Sequence, residues 1–131
     1  MNLKRLFKNG ADFKEKSDEI DSISDLNILK GIAKSDQDYR IRLKAVKRIH
    51  DDYFLNGIIH DDANRNVKTA AVDNLTNQQY LGGIAKNHTD IYVRMAAIEK
   101  IEDKSVLEHI AQNDSNKTVK KAASEKIKKI M

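Results

Sequence analysis

The sequence predicts an all-α protein built from stacked helical pairs, and three observations carry that prediction. The first is a period of 26 residues that runs without insertion or deletion: Leu29, Leu55, Leu81 and Leu107 open four units, and Ile32, Ile58, Ile84 and Ile110 follow three residues on. The second is composition, since 131 residues contain no proline and only 5 glycines, which excludes a turn-rich β protein. The third is an Asp or Asn that recurs at two fixed places in every unit, a residue type that starts helices. A fixed period of roughly 20 to 50 residues marks an architecture in which one unit cannot bury its apolar face alone and neighbours must stack.

Residues 1–28 fit the same frame imperfectly and are expected to form a degenerate N-terminal cap unit. Leu3, Leu6, Asp12, Lys16, Ile20, Ile23 and Asp25 match their columns, whereas Glu15 and Glu19 stand where the later units have Val and Ala. Partial disorder of residues 9–24, with their interleaved charges, is the alternative. The units proper span 29–54, 55–80, 81–106 and 107–131 in one domain.

Each unit should hold a short helix, a turn and a longer helix. The first helices are expected near 26–34, 52–60, 78–86 and 104–112, entered through Asp25, Asp51, Asn77 and Asp103. Their apolar stripe lies at offsets 0, 3 and 4 from the opening leucine, as in Leu81, Ile84 and Ala85. Gly31, Gly57 and Gly83 share offset 2; glycine there sacrifices about 1 kcal/mol against alanine, so close approach of neighbouring first helices is expected.

The longer helices are expected near 39–49, 65–75, 91–101 and 117–130, entered through Asp38, Asn64, Asp90 and Asn116. Offsets 12, 16 and 20 form their buried stripe, as in Val93, Ala97 and Ile101. The flanks can be told apart. Offset 15 is Lys44 in the first unit and Ala70, Ala96 and Ala122 later, while offset 17 is Val46, Val72 and Ile98 but Ser124 in the last unit. Polar exceptions belong at the two ends of a soluble array, so offset 15 should face the preceding unit and offset 17 the following one. Lys44 should then meet Glu15 or Glu19 of the cap unit.

An acid at offset 7 precedes a base at offset 13 in Asp36-Arg42, Asp62-Lys68 and Asp114-Lys120. With the Val or Ile just before each base and the Ala96-Ala97 pair, residues 25–130 resemble the HEAT repeat family, in the compact prokaryotic form often called PBS-lyase-like HEAT repeats. The resemblance implies a right-handed α-solenoid whose longer helices line a concave surface, with acid and base linking neighbouring units in a polar ladder. The third unit departs from the pattern: His88 stands where the acid should be, which puts the pairing of Arg94 in question. A phosphate-binding stripe of Arg42, Lys68, Arg94 and Lys120 is the weaker reading, since cations beside a core need partners.

A solenoid is a surface before it is a chemical machine, so the expected function is non-enzymatic presentation of the concave long-helix face to a protein or peptide. The candidate contact residues are Tyr39, Arg40, Leu43, Lys47, Arg65, Ile91, Tyr92, Met95 and Glu99, all on the outward arc of the longer helices. Aromatic and Met side chains on a polar-rimmed face suit a protein partner. Formal charge along that arc runs +2, 0, −2 and +2 over the four units, whereas a phosphate-tracking groove stays basic. Nucleic acid is nevertheless the alternative partner, because the net charge is +4 and some HEAT-like proteins hold duplexes on the concave side.

A cofactor lyase or metal hydroxylase, which the family also includes, finds no residues here. His50, His60, His88 and His109 form no metal-ligand spacing, and Gly82-Gly83 lies in a helical pattern with no preceding strand, so no metal, cofactor or phosphate loop is expected. No run of 18 apolar residues is present, and Met1–Lys8 lacks the features of a secretory signal, so a cytoplasmic monomer is the expected state.

Overall fold

The computed structural model of the protein describes residues 12–131. Within them the chain is all-α, with nine helices and no strand. They are α1 (Phe13–Ile20), α2 (Leu26–Ser35), α3 (Tyr39–Val46), α4 (Asp52–Asp61), α5 (Arg65–Asn74), α6 (Gln78–Asn87), α7 (Ile91–Lys100), α8 (Lys104–Asn113) and α9 (Lys117–Ile130). Helices α2 and α3, α4 and α5, α6 and α7, and α8 and α9 pack as consecutive pairs. Between pairs the main packing runs through every second helix, α1 on α3, α3 on α5, α5 on α7 and α7 on α9. Leu3 and Leu6 of the expected cap unit lie outside the described residues.

Every helix start predicted from the Asp and Asn columns is found. Asp25, Asp51, Asn77 and Asp103 cap α2, α4, α6 and α8, and Asp38, Asn64, Asp90 and Asn116 cap α3, α5, α7 and α9. In each the side-chain oxygen accepts from a backbone N–H of the first turn, which stabilises a helix by about 1 kcal/mol. Asp12 caps α1 in the same way.

The core also follows the columns. The four opening leucines, the Ile41, Val67, Val93 and Val119 column and the Ala45, Ala71, Ala97 and Ala123 column are all buried in one continuous cluster. Val46, Val72 and Ile98 are fully buried while Ser124, in the same column of the last unit, is exposed, as a flank facing the following unit requires.

Three expectations need correction. The second helix of each pair is not the longer one: α3, α5 and α7 have 8, 10 and 10 residues against 10 in each of α2, α4, α6 and α8, and only α9 reaches 14. Offset 20 accounts for the difference. Leu75 and Ile101 have left the helix for extended backbone, yet their side chains are buried, so this column plugs the core from the turn. What makes an early end tolerable is a donor one residue before. Asn74 donates to the carbonyls of Val46, Lys47 and Ile49, and Lys100 donates to those of Val72, Asp73 and Leu75. Arg48 likewise reaches the carbonyl of Ile20. At these three boundaries a donor at the end of one second helix thus satisfies orphan carbonyls that end the second helix before it.

The second correction concerns glycine. A Cβ on Gly31, Gly57 or Gly83 would meet nothing within 4 Å, so that column does not mark close helix approach; among the described glycines only Gly82 has a neighbour near, Val106 Cγ1 at 3.8 Å. The third concerns Lys44, whose ammonium reaches the Ser17 carbonyl and hydroxyl and Asp21 rather than Glu15 or Glu19. Lys44 does face the preceding helix, but α1 turns Ile20 toward α3, and Ser17 and Asp21 lie beside Ile20 on that face. Glu15 and Glu19 hold the columns that face inward within a unit and so point elsewhere.

The acid and base columns form a ladder, and its direction is explicit in the structure. Three bases pair with the acid of the next unit, 20 residues on: Lys16 with Asp36 at 3.1 Å, Arg42 with Asp62 at 2.8 Å, and Arg94 with Asp114. The arginines also donate backward, Arg42 to the carbonyls of Asp36 and Gln37 in its own interhelix turn, and Arg94 to those of Ala85 and Lys86 in the last turn of α6. Arg94 is therefore ion-paired with an acid despite the histidine in its own unit. The residue that faces His88 is Lys68, with Nζ 3.5 Å from the ring nitrogen Nε2.

Candidate functional site

The candidate contact residues occupy α3, α5 and α7, the helices that pack in series through the array. On α3, Tyr39 and Arg40 are exposed, as is Lys47 just past its end, but Leu43 is partly buried and packs against the core. On α7, Tyr92 is 55% exposed and Glu99 is exposed, while Met95 is partly buried and Ile91 packs on the core. Much of the apolar area expected of this face therefore belongs to the core edge. Tyr92 and Tyr39, the latter 39% exposed, are its open aromatic surface.

What the fold brings together are two arginine–aromatic stacks. The Arg65 guanidinium lies over the Tyr92 ring at 4.3 Å, across the boundary between α5 and α7, and its Nε donates to Asp90 at 2.7 Å. The Arg40 guanidinium lies over the Phe13 ring at 4.1 Å, across the boundary between α3 and α1, and donates to both oxygens of Asp38 at 3.1 and 2.7 Å. In both, a helix-capping aspartate also clamps the arginine. The Asp38 carboxyl is held below its ordinary value, chiefly by the Arg40 hydrogen bond. For Asp90, burial pushes upward, and the bonds from Arg65 and from the Tyr92 N–H outweigh it, so the net direction is again downward. Glu99 is taken up at 3.4 Å by Lys129 of α9.

Phe13, Asp38 and Asp90 do not stand out as surface residues in the sequence. The two aspartates are legible there only as caps, and Phe13 lies in the cap unit, beyond the four units whose outward arc the period defines. Stacking across unit boundaries depends on how far neighbouring helices are staggered, which the period alone does not specify.

On the first helices, an open groove of about 480 Å³ is lined by Lys34, Tyr53, Phe54, Asn56, Gly57, Ile58, Asp61 and Asp62. Tyr53 is 82% exposed there. The two charge signs at its rim offer no single ligand chemistry. Among the described residues no three His, Cys, Asp or Glu side chains are arranged to hold a metal, and no helix is long and apolar enough to cross a membrane. No family model, no curated protein and no solved structure matches the chain.

Proposed function

We propose that this chain is a non-enzymatic interaction module: a right-handed α-solenoid of four HEAT-like units with a degenerate N-terminal cap unit, presenting its second-helix face to a protein or peptide. The observation that carries this reading is the Arg65–Tyr92–Asp90 cluster. It presents an aromatic plane already locked by a guanidinium and a carboxylate, so docking a partner on it orders little that is mobile. Tyr39 and Arg40 extend the same face along α3. Exposed Tyr and Arg held in place are the residue types that anchor protein interfaces.

The same cluster weighs against nucleic acid as the partner. Arg40 and Arg65, the arginines of that face, each have a carboxylate at hydrogen-bond distance, which offsets the charge a phosphate would seek. The test is affinity purification of the tagged chain from its host, followed by Kd measurement on the identified partner. Tyr92→Ala with Met95→Ala is expected to weaken binding by at least about 30-fold, since an anchoring aromatic contributes about 2 kcal/mol, with the circular dichroism spectrum unchanged. If instead the chain binds random duplex, with affinity that falls steeply in salt and depends on Arg40, Arg65 and Lys117, the protein-interaction reading is wrong.

A further inference from the structure

The ladder contains one joint unlike the others. Lys16, Arg42 and Arg94 each meet an aspartate carboxylate. Those aspartates, Asp36, Asp62 and Asp114, also accept the backbone N–H two residues on. His88 takes over that backbone bond with its ring. Its Nδ1 accepts from the Asp90 N–H at 3.0 Å, and its Nε2 lies 3.2 Å from the Ile59 carbonyl. An acceptor at Nδ1 and a carbonyl at Nε2 are both satisfied by one tautomer, the neutral ring with its proton on Nε2. The ring then has no lone pair for Lys68, whose ammonium 3.5 Å away meets an N–H.

Lys68 is partly buried, and among the described residues no carboxylate forms an ion pair with it. The two hydrogen bonds fix the orientation of the His88 ring, and the exposed His60 ring lies over it with centroids 6.3 Å apart. Lys68 is thus an internal ladder cation that faces a neutral, hydrogen-bonded ring where every described neighbour in its column with a following unit has a counter-ion.

We propose that Lys68, at the His88 joint, is a carboxylate-binding site: an Asp or Glu side chain of a partner protein supplies the charge that Asp36, Asp62 and Asp114 supply elsewhere. The inference rests on the protein-interaction reading above and names the chemistry of one contact within it. A single carboxylate, rather than a larger or more highly charged anion, is what this position accommodates in the sister joints.

The test uses acetate as the probe, with inorganic phosphate as a second arm, against chloride at constant ionic strength. The readouts are amide chemical shifts around Lys68, His88 and Asp90 and the melting temperature. Acetate is expected to shift those signals saturably and raise Tm by about 2 °C. Lys68→Met and His88→Asp should both abolish the response, the second by supplying the carboxylate in cis. Lys120→Met, at the same column in the last unit, should leave it intact, as should the Tyr92→Ala, Met95→Ala pair, so that a failure here is distinct from a failure of the second-helix face. An unsaturable response, an equal response in Lys68→Met, or saturation by phosphate but not by acetate would overturn the proposal.

Discussion

The guanidinium of Arg42 holds both oxygens of Asp62, 20 residues further along the chain, at 2.8 and 3.2 Å. The Asp62 side chain is only 5% exposed, so the pair is a joint between units and not a surface ornament. Removing one partner of a buried pair leaves an uncompensated charge, which costs about 3 kcal/mol or more. Arg42→Met is expected to lower stability by that amount in denaturant titration. Adding Asp62→Asn, which keeps an acceptor for the Asn64 N–H, should recover a good part of it. A double variant worse than Arg42→Met alone would mean that the joint is not electrostatic.

Lys100 gathers three carbonyls at the end of α5. Lys100→Met keeps the apolar stem and removes only the donors, so two or more carbonyls there lose partners. A loss of about 2 kcal/mol is expected, with hydrogen exchange speeding up locally in the turn that holds Leu75. An unchanged denaturant midpoint would show that water replaces the ammonium without penalty.

Gly31 and Gly83 sit inside helices with open space where a Cβ would go. Alanine at each position is expected to stabilise the protein by about 0.5 to 1 kcal/mol, and the two gains should add because the sites lie in different helices. Thermal melts of the single and double variants check this. Destabilisation by either alanine would restore the close-approach reading that the structure overturns.

Acid should loosen the helix starts together. Asp38, Asp51 and Asp103 have carboxyls held below the ordinary value, chiefly by bonds from Arg40, Lys30 and Ser105 respectively. Because the folded-state value is the lower one, the unfolded chain takes up protons first. The stabilisation is therefore complete above the ordinary carboxylate value of 3.8 and is lost as pH falls through the lowered values. Tm is expected to stay flat from about pH 7 to 5 and to drop below about pH 4. Asp51→Asn with Asp103→Asn keeps a capping oxygen, as Asn64, Asn77 and Asn116 do, and should make that drop shallower. An identical acid profile would assign the effect to other carboxylates.

The helix starts were legible because a cap is a local device: one short side chain and the N–H groups just after it. The buried columns were legible because the period places identical residues in identical surroundings. Helix ends were not, since Asn74 and Lys100 act on carbonyls about 25 to 28 residues back, and Arg, Asn, Lys and Lys in one column share only the ability to donate. The ladder was visible as a composition pattern, but its direction was not. The resemblance implied links between neighbouring units, and only the offset between stacked helices shows that the base reaches forward, sending Arg42 to Asp62 and leaving Lys68 with His88. Of the outward face, the residues were legible and their depth was not: Leu43 and Ile91 read as surface from the helical wheel but lie against the core.

The forward direction of these joints decides which blocks of the chain could be removed without severing a pair. Each 26-residue block that has a successor carries a base for it, and blocks 29–54, 55–80 and 107–131 carry an acid for their predecessor, so excising 29–54 would set Lys16 against Asp62 and leave no severed pair. Excision of 81–106 would even bring Lys68 up against Asp114 and mend the odd joint. Loss of such a block is expected to shorten the protein and keep its remaining joints paired.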